Sequence, residues 1–280
     1  MRTVAAAQEC VAASAHLDLM HVNVATQHWL RYQHGGRTAF GTLDGETVTR
    51  YDGDMFASPV PTQETVALDA VTILPPTEPT KMIGLWNNFA ALGVKLGLAI
   101  PEDPLYFIKG SNAFIATGEA IRQPKFYDGR VIFEAELGIV IGKRCSGADE
   151  NEAAAAIFGY TCVNDVTAFD VLNKDASFAQ WTRAKSFDTF GVFGPVVATG
   201  LDPDTLTIRA ILEGDERQNY PASDMIVKPV RLVSLISRDM TLMPGDVIAC
   251  GTSVGAGKMK PGSTIEIAID GIGSLRNRFE

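Results

Sequence analysis

The chain has 280 residues, 46% of them hydrophobic and 20% charged, which is enough apolar material to bury one large core and a smaller appended one and argues against disorder. A formal net charge of -9 and a pI near 5.0 argue against a nucleic-acid backbone or an anionic membrane surface as partner, because neither would meet a basic patch. A small anionic substrate would need a local cation, and no uninterrupted apolar run is long enough to span a bilayer.

In residues 1–20, MRTVAAAQECVAASAHLDLM, the side chains of Gln8, Glu9, His16 and Asp18 interrupt any hydrophobic region that a signal peptide would need. The segment reads as a loose extension, or as a start-site artefact with the working chain beginning at Met20. From residue 22 to residue 51 short strands alternate with turns, HGGR and Leu43-Asp44-Gly45-Glu46 among them, which predicts a small antiparallel subdomain over residues 21–76. Pro59, Pro61, Pro75, Pro76 and Pro79 punctuate the route onward, and the Pro75–Pro76 pair marks the linker to a second domain over residues 80–280.

In that second domain, Phe89, Leu92, Leu96 and Ile100 follow helical spacing, which predicts a helix over residues 87–100 with Asn87 or Asn88 as its N-cap. The alanine-rich NEAAAAIF predicts another over residues 151–158. Elsewhere VIFEAELGIVIGK, FGYTCVND, GVFGPVVAT, TLTIRAILEG, DVIACGTS and STIEIAIDG read as strands, so the fold class is α+β and mainly β. The cysteines Cys10, Cys145, Cys162 and Cys250 form no CxxC pair or histidine-spaced cluster, which points away from zinc and from a disulfide framework. Cys162 and Cys250 sit in apolar runs, as buried thiols would in a reducing cytoplasm.

The run Val131–Ile141 carries Glu134 and Glu136 on one face of a strand, separated by roughly 6.6 Å of rise. Two carboxylates so placed repel each other and resist desolvation unless a cation neutralises them, as Mg²⁺ or Mn²⁺ does. Asp165, where Asn164-Asp165 turns the chain out of the strand FGYTCV, is the candidate third ligand, and an all-oxygen set favours a hard ion over zinc. An isolated ExE would more often line a solvated edge strand.

The neighbouring blocks change that balance. FEAELGIVIGK, GYTCVNDVTAFD, WTRAKSFDTFGVFGP and LMPGDVIACGTSVGAGKMKPG, in that order, resemble the fumarylacetoacetate hydrolase family from Lys81 to the C-terminus. The strand-rich residues 22–51 are similar to the small N-terminal subdomain that many members carry. The resemblance implies a β-rich sandwich roll with that subdomain packed against it, a homodimer, and Mg²⁺ or Mn²⁺ on Glu134, Glu136 and Asp165, with Ca²⁺ able to replace it in a crystal. It further implies a small oxo-acid substrate chelating the metal, Lys185 and Lys109 beside the carboxylates, and Thr252, Gln218 and Asn88 in contact with the substrate, under a lid formed by the helix at residues 87–100. A cation and an aimed hydroxyl would stabilise the enolate charge of a 1,3-dicarbonyl.

The pattern departs from the family where hydrolytic members carry NYxxH followed three residues later by Glu, a water-activating dyad: Leu92 and Lys95 stand there instead. Phe169 and Leu172 occupy positions where Arg and Gln often hold a substrate carboxylate, so the expected pocket is more apolar. All four histidines, His16, His21, His28 and His34, precede the second domain. Hydrolytic C–C cleavage of a β-diketo or acylpyruvate-type acid, with Lys95, Lys109 or the metal itself activating water, is the first expectation. Decarboxylation, tautomerisation or dehydration of a 2-oxo acid is the alternative, and a non-catalytic oxo-acid binding protein the third.

Overall fold

The structure is a computed structural model and describes residues 25–280, so residues 1–20, with Cys10 and His16, and His21 lie outside it. Antiparallel strands β1 (Gln27–His34), β2 (Arg37–Asp44), β3 (Thr47–Asp54) and β4 (Ala57–Ala67) come first, and short β5 (Thr72–Leu74) returns beside β1. There follow β6 (Met82–Trp86), α1 (Ala90–Leu96), β7 (Leu105–Lys109), β8 (Phe114–Ile115), β9 (Ala120–Ile121), β10 (Val131–Phe133), β11 (Ala135–Ile141) and α2 (Glu150–Ala156). The chain continues through β12 (Ile157–Asp165), β13 (Thr167–Ala168), α3 (Phe169–Leu172), α4 (Trp181–Lys185), β14 (Gly191–Thr199), β15 (Thr207–Leu212) and β16 (Asp215–Pro221). It ends with α5 (Pro229–Asp239), β17 (Val247–Ala249), β18 (Gly257–Lys258), β19 (Thr264–Ile269) and β20 (Gly273–Phe279).

One large sheet runs β4-β3-β2-β1-β14-β12-β11-β17-β6-β7, with β5 on β1 and β8 on β14. A five-stranded sheet, β16-β15-β19-β20-β9, packs with α5 against one face of it, joining Ile208, Ile267, Leu275, Leu232 and Ile236 to Leu137, Ile139 and Cys162 in the main core. The opposite face is apolar as well: Val140, Val163, Phe193 and Val247 meet Trp29, Tyr51, Phe56 and Phe158. Trp29 and Tyr51 meet edge to face at 4.9 Å, as do Phe56 and Phe158 at 5.0 Å. This double burial explains why β11 reads as an unbroken apolar run with no polar alternation: every one of its residues is buried, Glu136 included.

The N-terminal hairpins extend the main sheet of the roll, because β1 pairs with β14. Pro59 and Pro61 lie inside β4, where an edge strand can spare the amide hydrogens that proline lacks. The helix expected over residues 87–100 is shorter. Asn87 has φ +54°, which cannot begin a helix, so α1 starts after Phe89; Gly97, left-handed at φ +67°, ends it. The second helix starts earlier than expected because Asp149 and Glu152 form a reciprocal capping box, and Phe158 already belongs to β12. α5, begun by Pro229, was not anticipated, since its run VRLVSLIS suits a strand nearly as well as a helix. No helix among the described residues is long and apolar enough to cross a membrane.

The expected single strand Val131–Ile141 is two strands broken at Glu134. β11 pairs with β12 in the main sheet, while β10 pairs with β13 in a separate three-stranded sheet with β18. The register is the same on both sides of the break, Ile132 opposite Thr167 before it and Ala135 opposite Asn164 after it. Two neighbouring strands therefore leave the main sheet at the same level, and Glu134 and Asp165 stand at that seam.

A second junction is held by Asp246, which is fully buried. Its carboxylate accepts from the Thr80 amide (2.9 Å) and hydroxyl (2.7 Å), the Lys81 amide (3.1 Å) and ammonium, and the Met243 amide (2.8 Å). Asp246→Ala would strand these donors and should lower unfolding free energy by about 2–4 kcal/mol. Asp270→Ala, which removes only the solvent-exposed pair with Arg209, should cost less than about 1 kcal/mol. Urea denaturation of the two variants measures the difference.

Candidate metal centre and active site

At the seam the carboxylates of Glu134, Glu136 and Asp165 converge, each offering an oxygen within 4.8 Å of the others. Lys185, the last residue of α4, donates to Glu134 Oε2 (2.7 Å) and Asp165 Oδ2 (2.6 Å). Lys109, the last residue of β7, donates to Asp165 Oδ1 and to the Val166 carbonyl (3.2 Å). The Thr167 hydroxyl lies 2.8 Å from Glu134 Oε1, and the Gly251 amide donates to Glu136 Oε2 at 2.8 Å. Glu136 Oε1 is buried and has no hydrogen-bond partner. Three carboxylates thus face two ammoniums, which leaves one formal negative charge uncompensated among buried groups.

The electrostatics follow from that imbalance. Burial, reinforced by the Asp165 and Glu134 charges, pushes the Glu136 carboxyl well above the usual carboxylate range. Burial also raises Glu134, although Lys185 pulls against it. Burial opposes ionisation of Asp165 too, but Lys109 and Lys185 together hold it below its ordinary value. The lysines diverge: burial lowers Lys109 despite Asp165, whereas Asp165, Glu134 and Glu136 overcome burial and raise Lys185.

The backbone of Ala135, the residue between the two glutamates, is held at both its amide and its carbonyl. Gln218 accepts from the Ala135 amide (3.0 Å), while Thr252 (2.9 Å) and the Tyr220 phenol both donate to the Ala135 carbonyl. Gln218 also donates to Thr252 Oγ1 (2.9 Å) and to the Ser253 carbonyl (3.1 Å). Asn88 donates to the Cys250 carbonyl (2.9 Å) and accepts from the Val227 amide (2.9 Å), which ties the start of the α1 segment to the loop that carries Gly251. Gly251 has φ +91°, and a Cβ there would approach the Leu85 carbonyl at 3.3 Å, so the close passage of this loop suits glycine alone.

Of the residues singled out from the sequence, Glu134, Glu136, Asp165, Lys109 and Lys185 come together directly, and Thr252, Gln218 and Asn88 form the shell that braces them. Lys95 is exposed on α1, and Phe169 opens α3 with Arg130 stacked over its ring at 4.3 Å; neither bonds to the carboxylates. Of the described histidines, His28 meets the Gly271 carbonyl and His34 the Ala70 carbonyl, both from β1 and away from the cluster. Tyr220, Thr167 and Gly251 were not singled out. Tyr220 had one usable signal, its two-residue spacing from Gln218 on β16, which puts both on one face.

The description "Fumarylacetoacetate (FAA) hydrolase C-terminal" matches residues 81–280, and "Rv2993c-like, N-terminal" matches residues 27–76. The chain belongs to the fumarylacetoacetate hydrolase family. A relative from Archaeoglobus fulgidus is 44% identical over 212 residues, 76% of this chain and 83% of that one. Protein Rv2993c of Mycobacterium tuberculosis is 38% identical over 249 residues, 85% and 92% of the two chains. Among solved structures, that of 2-hydroxyhepta-2,4-diene-1,7-dioate isomerase from Mycobacterium marinum superposes with a TM-score of 0.83 at 34% identity, covering 90% of this chain and 98% of that one. Membership in this family of enzymes agrees with a mainly β, α+β fold and with an acidic triad able to hold a metal.

The residues present fit a divalent cation. The donors are all carboxylate oxygens, one net negative charge awaits compensation, and Glu136 Oε1 is a buried acceptor with nothing to accept from. The folded chain holds Glu136 above its unfolded value, so its contribution favours folding at low pH and is lost as pH rises through the raised folded value. At neutral pH a metal-free chain bears that cost. Glu136→Gln should therefore raise the metal-free melting temperature by about 2–5 °C and abolish the rise that Mg²⁺ or Mn²⁺ gives the wild type, as differential scanning fluorimetry with metal or EDTA would record.

Proposed function

We propose that this chain is a divalent-metal enzyme that acts on a 2-oxo acid by decarboxylation or keto–enol tautomerisation, chemistry that needs no activated water. The observation that carries this reading is the pairing of a cation-seeking carboxylate triad, with Glu136 Oε1 unpartnered, and a surround in which no described histidine is near enough to act as base. The M. marinum isomerase to which the chain is similar is named for a 2-hydroxy-2,4-dienedioate, the enol form of a 2-oxo acid, and supports the same substrate class.

Glu134, Glu136 and Asp165 would hold Mg²⁺ or Mn²⁺, which supplies a Lewis acid for the chelating oxygens of a 2-oxo carboxylate. Everything else falls to the chain. Lys185 keeps its charge beside Glu134 and Asp165 and would stabilise negative charge developing on the substrate's oxo oxygen. Lys109 anchors Asp165 from the other side. Gln218, Thr252 and Tyr220 fix the Ala135 backbone, and with it the directions of Glu134 and Glu136, before substrate arrives.

C–C hydrolysis of an acylpyruvate is the second reading. It is favoured by the anchoring of α1, which starts two residues after Asn88 and so carries Lys95 on a segment tied beside Gly251. The test is turnover of oxaloacetate and a panel of acylpyruvates with Mn²⁺ or EDTA, followed by ultraviolet loss of enol absorbance and by NMR of the products. We expect Mn²⁺-dependent turnover, a drop of roughly a hundredfold or more in Lys185→Met and Glu136→Ala, and no change in Lys95→Met. Two carbon fragments with incorporated water, together with loss of turnover in Lys95→Met, would replace the first reading by the second.

A further inference from the structure

The face of β7 that carries Lys109 continues outward into an aromatic pocket. Alternation puts Leu105, Phe107 and Lys109 on one side of the strand, and the pairing with β6 sets Gly84 opposite Phe107 and Trp86 opposite Leu105. A Cβ on Gly84 would lie 2.4 Å from the Phe107 ring, so only glycine there lets the ring lie across β6. In that position Phe107 receives Lys185 Nζ at 5.1 Å from its centroid and stacks on Trp181 at 5.5 Å and 11°. Trp181 opens the short helix that ends in Lys185, and it meets Trp86 at 5.1 Å.

These rings, with Pro104, Leu105 and Tyr106, line a cavity of about 370 Å³. No side chain lining it is charged at neutral pH, and the Tyr106 hydroxyl is already bonded to Asp239 (3.2 Å). A carboxylate placed among these groups would be desolvated without a counter-charge, whereas an apolar group would exchange water for ring contacts. Phe107, the ring that Lys185 overlies, is also a wall of this cavity, which therefore lies one ring away from the charged cluster and reaches outward to the half-exposed Leu105.

We propose that the Trp86–Phe107–Trp181 pocket is the specificity subsite of this enzyme and takes an apolar tail, aryl or branched alkyl, on the far side of the substrate's oxo group. The preferred substrate is then an apolar-tailed 2-oxo acid and not a diacid. This rests on the oxo-acid reading above and extends it to the part of the substrate distant from the metal.

The test is calorimetric titration of the full chain with pyruvate, 2-oxoglutarate and phenylpyruvate, each with Mn²⁺ and with EDTA, in the wild type, Trp86→Ala and Trp181→Ala. Phenylpyruvate should bind roughly ten- to hundredfold more tightly than either of the other acids, as filling an apolar pocket does. That selectivity should fall at least tenfold in one or both variants, whose retained Mn²⁺-induced rise in melting temperature reports an intact fold. Equal affinities, preference for 2-oxoglutarate, no binding of any acid, or selectivity unchanged in both variants would overturn the proposal. Affinities that do not depend on Mn²⁺ would instead count against the metal reading and leave the selectivity comparison standing.

Discussion

Three carboxylates and two ammoniums are buried together, and much of the surrounding architecture serves to make that tolerable. Isolated buried charges are among the least favourable things a fold can contain, so each needs either a partner or a hydrogen bond. Asp165 takes both lysines, Glu134 takes Lys185 and Thr167, and Glu136 takes one backbone amide. These partners come from β7, β13, α4 and the loop after β17, segments far apart in the chain. Holding them within a few ångströms requires the large sheet, and the charges in turn fix how its strands end.

The seam at Glu134 gives this its geometry. A strand pair confined to one sheet would bury a carboxylate in the middle of its hydrogen-bonded ladder. Here β10–β13 and β11–β12 are one pairing divided between two sheets, and the acids stand where the ladder is interrupted, with the Glu134 amide received by Asn164 Oδ1 and the Asp165 amide by the Glu134 carbonyl. Around them Gln218, Thr252 and Tyr220 grip the two peptide groups that flank Ala135, a brace that orients two carboxylates through the backbone without competing for their oxygens.

The centre was more legible in the sequence than its surroundings, for physical reasons. Glu134, Glu136 and Asp165 stand out because charge in an apolar strand demands an explanation, and the period of a strand says which of them share a face. Lys109 and Lys185 were reachable only through the resemblance, since nothing in the local pattern of YFIKGSN or WTRAKSFD marks those lysines as buried. Tyr220 was hidden because its partner is a backbone carbonyl 85 residues away, and a carbonyl carries no residue identity. The ends of α1 were misjudged where single backbone angles decide: Asn87 and Gly97 both adopt positive φ, and apolar spacing runs through them regardless. The N-terminal hairpins were legible as hairpins but not as an extension of the main sheet, because β1 meets β14 across more than 150 residues of chain.

A sheet that grows by adding hairpins to its margin, and never closes, must end somewhere. It ends at β4 and at β7, and an open strand with free backbone donors and acceptors invites another chain to add itself. The outer strand β4 is poorly suited to that invitation: Pro59 and Pro61 remove two donors, register shifts interrupt its pairing with β3, and most of its side chains are polar or exposed. The prolines that look in the sequence like punctuation between domains thus act as a guard against runaway polymerisation, allowing the core to recruit extra strands without becoming a template for fibrils.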